Sequence, residues 1–393
     1  MSYAIVDAEV RYLGAIVDRA EVSSFTPLAF GWAKDASSVF ANGRHVRGAH
    51  AASFVPLDAL FGIDRESIYA GSTCIEGNAR TIRVLGRGYA IDDRHAHFAE
   101  LRLGWLVACW TIETADPKSL TVLAHGWATD ATHAYCGGHV VADADPRRLV
   151  PLTPTLATDG ARVFASTRVI EHADAATFRA LDDAHYGVDA RGVFHGKYWG
   201  RVVAPATPTT FRALGNDFAV DDHYAYWRDE VLAGVPPETF RPLSPSFASS
   251  GDLVFYFYSG IHGTRQVTAN LWGTKPIILD GADPTTFRSL GEFYGADATG
   301  AWYHSSAMQL RGDARRLELL NPHVARDDAA IYFEEAPIDG ADPETFRFVW
   351  STNVARDRDR WYAFHEHDHG SHYELIDAQR ARELLDADEA SDA

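Results

Sequence analysis

The sequence predicts an all-β fold of about twelve tandem β-hairpin-like units of roughly 29 residues, ending in a short C-terminal capping helix. Three observations carry that prediction. First, an Asp followed five positions later by an aromatic residue recurs along the chain, with the Asp at 7, 35, 64, 92, 130, 159, 189, 221, 252, 297, 327 and 357. Nine of the eleven steps fall between 28 and 32 residues, too regular for chance. Second, a large apolar residue followed three positions later by Leu or Val alternates with the first signature, as at Phe54/Leu57, Phe211/Leu214 and Phe287/Leu290. Third, the intervening runs are short, rich in Val, Tyr and Phe, and end in Gly or Asp pairs, the pattern of strands and tight turns.

Taken in chain order within one unit, the corner comes first. "DGADPTTFRSLG" (280–291) returns as "DGADPETFRFV" (339–349); in it Asp283 suits an N-cap and Pro284 the first helical position. The phrase predicts a short helical or 3₁₀ corner that drives Phe287 inward. The hairpin follows, as in "FAVDDHYAYWRDEVLAG" (218–234), where the Asp side chain can bond the backbone just ahead of it. One copy, "IDDRHAHF" (91–98), puts His97 at the aromatic position with Phe98 beside it. A unit this small cannot cover its own rings, so its neighbours must, and the repeated aromatics read as core. The array is a superhelical solenoid or a propeller-like ring, because the rotation per repeat that decides between them is not written in composition.

No Pro/Gly/Ser linker interrupts residues 3–373, which read as a single repeat domain. Residues 374–393 change character: Glu374 to Ala387 holds strong helix formers with Leu375, Ala378 and Leu385 near one face, and an acidic tail follows. Two steps are long. One contains "ELRLGWLVACW" (100–110) and the other "SGIHGTRQVTANLWGTKP" (259–276). Insertions in repeat proteins map to loops or to longer hairpins that extend a sheet.

The chain resembles the DKNYY family, bacterial proteins named for a repeated Asp-plus-aromatic phrase with a "GADPxSF"-like phrase between copies. "DGADPTTFRSLG" and "VDDHYAY" are its most typical copies here, and the resemblance runs over nearly the full length. The sequence departs from the family phrase in lacking Lys-Asn after the Asp and in often having one aromatic where the family has two. The resemblance implies a repeat fold and carries no catalytic residues over.

The formal charge of −18 and the absence of clustered Lys and Arg argue against nucleic acid and for a basic partner. No apolar run approaches the length of a membrane helix, and the N-terminus has no basic, signal-like region. Cys74, Cys109 and Cys136 show no metal-ligand rhythm and read as small core residues of a reducing, cytoplasmic compartment. Hydrolase, metalloprotease, P-loop and dinucleotide motifs are missing from the sequence, so the reading is non-catalytic.

The inserted segments offer Trp105, Trp110, His262, Arg265 and Trp272 outside the periodic pattern, and these are the candidate partner-binding residues. "FHEHDHGSHY" (364–373) supplies the candidate metal ligands: on a strand His365, His367 and His369 would share one face, a geometry that Zn²⁺ could use. The expectation is a cofactor-free binding or scaffold protein recognising a basic protein partner, for instance an immunity-type inhibitor of a basic toxin. A metal protein or enzyme centred on the His cluster, or a glycan-binding module using the Trp residues, are the alternatives.

Overall fold

The computed structural model describes residues 3–102, 106–181, 185–196, 200–257, 276–349, 353–365 and 371–391. Among them it forms twelve small antiparallel sheets, eleven of four strands and an N-terminal one of three, with the strands of each sheet in sequential order. Each sheet is one repeat. In the repeat around Asp130 the strands are Thr121–Val122, Trp127–Thr129, Ala134–Cys136 and His139–Val140. Trp127 pairs with Cys136, Ala128 with Tyr135 and Thr129 with Ala134.

The repeated Asp is the clamp that makes this geometry. Oδ1 of Asp130 accepts the N–H groups of Thr132 and His133, both at 2.7 Å, which closes the turn between the second and third strands. Oδ2 accepts the N–H of Asp116 at 3.0 Å, fourteen residues earlier, and so ties the corner to the hairpin. Asp35, Asp64, Asp92, Asp159, Asp189, Asp221, Asp297, Asp327 and Asp357 make the same three bonds. Five repeats add a fourth bond: the hydroxyls of Tyr69, Tyr135, Tyr226, Tyr332 and Tyr362 donate to Oδ2 of the Asp five positions before them, at 2.6–3.0 Å. Burial pushes the Asp130 carboxyl up, but these donors outweigh it and hold it at about 2.

At the corners the expected cap is present. Asp283 Oδ1 accepts the N–H of Thr285 at 2.9 Å, and the N–H of Phe287 reaches back to the Asp283 carbonyl at 3.0 Å. The Phe287 ring lies over Gly295, where an added Cβ would sit 2.2 Å from the ring's Cζ; Phe54 over Gly62 and Phe178 over Gly187 repeat the contact. Other repeats carry Ala at that place, two residues before the Asp or its replacement, and it is buried in all but the first, as at Ala33, Ala90 and Ala219, whereas Ala4 is exposed. Burying one such ring contributes about 1.5–3 kcal/mol, so the stacked cores supply most of the stability.

Two of the twelve Asp assignments shift. The pairing Phe247 with Tyr256, Ala248 with Phe255 and Ser250 with Leu253 places Ser250 at the Asp position and Phe255 at the aromatic one, with Gly251 and the exposed Asp252 forming the turn. Ser250 is buried and its Oγ lies 2.7 Å from Thr239 Oγ1. In the first sheet Val6 takes the same place and Asp7 is an exposed turn residue with φ 53°. A string match of Asp plus aromatic is blind to strand register, which the pleat fixes.

Contacts group the chain into two compact units. The first holds residues 1–171, 347–354 and 382–393; within it Ile16 forms a parallel bridge with Val349, and Arg19 is ion-paired with Asp386. The second holds residues 172–346 and 355–381. The C-terminal helix runs Ala378–Ser391, starting later than composition suggests because His372–Ile376 pairs as a strand with Trp361–His365. Leu375 is consequently exposed, while Ala381 and Leu385 are buried.

Candidate functional site

The second unit contains a cavity of about 870 Å³ into which the connections between first and second strands of four successive repeats converge. His185 comes from the first, Asn216 and Asp217 from the next, Leu243 to Ser246 from the third, and Ser289 to Glu292 from the fourth. Asn216 and Asp217 have φ of 56° and 64°, the two left-handed residues of a tight hairpin turn between Arg212–Gly215 and Phe218–Val220. That turn drops the Asp217 side chain to the cavity floor, where it is 8% exposed.

Asp217 is the hub of the floor. Its Oδ1 is hydrogen-bonded to His185 Nδ1 and lies 3.3 Å from Nε2 of the buried His195, and its Oδ2 is 3.8 Å from Arg228 Nε. The Arg228 guanidinium sits 4.2 Å over the Trp227 ring. The Asp217 carbonyl accepts the Tyr186 hydroxyl at 2.7 Å and the Arg228 N–H at 2.7 Å. A carboxylate, two imidazoles and a guanidinium are thus held on fixed backbone, while Asn216, Leu243, Pro245 and Glu292 stand exposed around the opening. The arrangement can bind a polar or charged group by hydrogen bonds and present an acidic and apolar rim to whatever carries it.

Among the described residues, three groups of side chains place metal-competent atoms within 4.8 Å of one another: Asp92, His95 and His97; His185, His195 and Asp217; and Asp221, Asp222 and His223. Burial lowers the basicity of the His97 imidazole, which keeps it neutral at pH 7.

Of the residues singled out in the sequence, Trp105, His262, Arg265, Trp272, His367 and His369 lie outside the described residues. Trp110 is on the strand Leu106–Thr111, which with Ala96–Arg102 extends its sheet; its ring is half-buried, stacked on His139 at 4.9 Å and against Phe98 at 5.1 Å. His365 pairs with His372 across two strands, their rings 4.9 Å apart, and its Nε2 lies 3.1 Å from Glu374 Oε1. Cys74 is exposed, whereas burial pushes the Cys109 and Cys136 thiols up to about 12. Within the described residues no helix is long and apolar enough to cross a membrane.

Sequence reading missed a second periodic aromatic, three residues before the Asp. Tyr89 donates to the carbonyl of Gly126 and accepts the N–H of Gly138; Tyr294 donates to the carbonyls of His323 and Glu334; Tyr186 bonds Asp217 and Arg228. Trp32 and Trp127 reach the carbonyls of Asp58 and Thr153 through their indole N–H groups. Each bond stitches one repeat to the next. The signal was present as the aromatic in "YAID", "WATD" and "YGVD", ahead of the Asp rather than after it.

These features define a β-repeat protein whose periodic residues build sheets and seams. A family model described as "DKNYY family" matches residues 32–165 and again 156–321. The chain belongs to the DKNYY family. No curated protein and no solved structure matches it.

Proposed function

We propose that this protein is a non-catalytic scaffold that binds a protein partner through the rim and floor of the cavity in its second unit, the partner contributing basic groups. The observation that carries the reading is the convergence of four inter-strand connections, free of the clamp's structural duties, on one opening lined by His185, Asp217 and Glu292. The net charge of −18 supports a basic partner, although ten of the acids are the buried clamp carboxylates. An immunity-type inhibitor of a basic toxin is one form of this function, since charge complementarity accelerates such association.

The test begins with recovery of the partner by the tagged full chain at low salt, followed by titration of the purified pair. Affinity should fall about tenfold or more towards 0.5 M salt, and by a similar factor for Glu292→Lys. A partner indifferent to both changes, or no partner at any salt, refutes the proposal.

A further inference from the structure

One repeat departs from the clamp in a way that leaves a buried ligand atom without the partner the other repeats supply. Five repeats fill the space beside Asp Oδ2 with a Tyr hydroxyl, and Asp35, Asp159, Asp189 and Asp297 have Phe or Trp at that position. Only the Asp92 repeat has His there, and it has a second His two residues earlier. An imidazole is shorter than a phenol, so His97 Nε2 stops short of the carboxylate it faces. His97 is 1% exposed and its Nε2 has no hydrogen-bond partner among the described residues. Its other nitrogen, Nδ1, lies 3.4 Å from Thr111 Oγ1; in the tautomer in which Nδ1 donates to that hydroxyl, the Nε2 lone pair is left on the side of Asp92.

The backbone keeps the gap open. Gly77, at φ +151°, passes over it, and a Cβ there would lie 2.6 Å from Asp92 Oδ2 and 3.4 Å from His97 Nε2. His95 Nδ1 borders the same carboxylate oxygen at 3.4 Å. Ligands of a tetrahedral ion with bonds near 2.1 Å are about 3.4 Å apart, so atoms already within 4.8 Å need only small movements to close on one.

We propose that Asp92, His95 and His97 form a binding site for one imidazole-preferring divalent cation such as Zn²⁺, with three protein ligands and a fourth position open to water. Two comparisons within the chain sharpen the assignment. The Asp130 repeat also has a His three residues on, His133, but the Tyr135 hydroxyl occupies Asp130 Oδ2 at 2.8 Å and leaves no room for an ion. At Asp217 the Arg228 cation already faces the carboxylate, and its charge opposes a second cation.

The experiment uses tag-free full-length protein, stripped with EDTA, and Zn²⁺ titrated against a chromophoric chelator. His97→Tyr installs the hydroxyl that five other repeats use, so it should fold with an unchanged or higher Tm and take up one equivalent fewer of Zn²⁺. His95→Ala should weaken the same site about a hundredfold and serves as the deciding variant if His97→Tyr does not fold. His365→Ala, at the separate C-terminal His pair, should leave this equivalent in place. Wild-type protein that binds no Zn²⁺, or that keeps the same stoichiometry and affinity when the site is substituted, overturns the proposal.

Discussion

Replacing Asp130 by Ala removes the acceptor for five donors: the N–H groups of Thr132, His133 and Asp116, the Thr132 hydroxyl, and the Tyr135 hydroxyl, which belongs to a fully buried side chain. The three half-buried amides can turn to water, but the Tyr135 O–H loses its partner inside the fold. At about 1–3 kcal/mol for the stranded hydroxyl and about 0.5–1 kcal/mol for each lost amide bond, the loss is about 4 kcal/mol. Asp130→Asn keeps one acceptor oxygen for the turn and gives up chiefly the charge-assisted bond from the Asp116 amide, which puts it near 2 kcal/mol. Asp252→Ala is the internal control: it matches the same sequence phrase but is exposed, and should change stability by less than about 0.5 kcal/mol. Urea unfolding reads the shifts. Amide exchange at Asp116 and His133 reads the local opening, which matters because repeat arrays need not unfold in one step. The clamp also sets an acid limit. The folded Asp130 carboxyl is held at about 2, below its unfolded value near 4, so its stabilisation is complete above about pH 4 and is lost as pH falls towards 2; Asp35, Asp64, Asp92, Asp159, Asp221, Asp297 and Asp357 are lowered too. Equal effects of Asp130→Ala and Asp252→Ala, or an acid midpoint that Asp130→Asn leaves unmoved, would refute the reasoning.

Two further substitutions test the packing and the seams. Tyr89→Phe leaves the Gly126 carbonyl and the Gly138 N–H without their shared hydroxyl and should cost about 2 kcal/mol, measured by urea unfolding and by faster exchange at Gly138; no change in exchange would show that the seam does not depend on it. Gly295→Ala presses a methyl 2.2 Å from the Phe287 ring and should cost about 1–3 kcal/mol, while the double variant Gly295→Ala/Phe287→Leu should recover part of that loss; an unchanged melting temperature in the single variant would mean the ring relaxes freely.

The repeat architecture was legible because one side chain, the Asp, does the same local task in ten of the twelve turns, and its bonds to residues two and three ahead follow from chain geometry. Its bond fourteen residues back was not, since nothing in "TDATHAY" says where Asp116 lies. Ser250 and Val6 escaped for a related reason: they hold the Asp position without its chemistry, and register alone reveals them. The cavity was beyond the reach of sequence. His185, Asp217, Ser246 and Glu292 come from four repeats with no shared residue type, so periodicity, which finds sameness, passes over them. The His97 position was visible as an exception to the aromatic rule, but its meaning depended on Gly77, fifteen residues before Asp92, keeping the space beside it clear.

The aromatic stitches have one more consequence, for how such a chain can lengthen. Tyr89, Tyr186, Tyr294, Trp32 and Trp127 all seek main-chain carbonyls in the following module, and a carbonyl is the same whatever residue bears it. Adjoining copies can therefore diverge in side chains without losing their grip on each other. Whole modules could be gained or lost by recombination with the junctions intact, a tolerance that side-chain-to-side-chain joints would not grant.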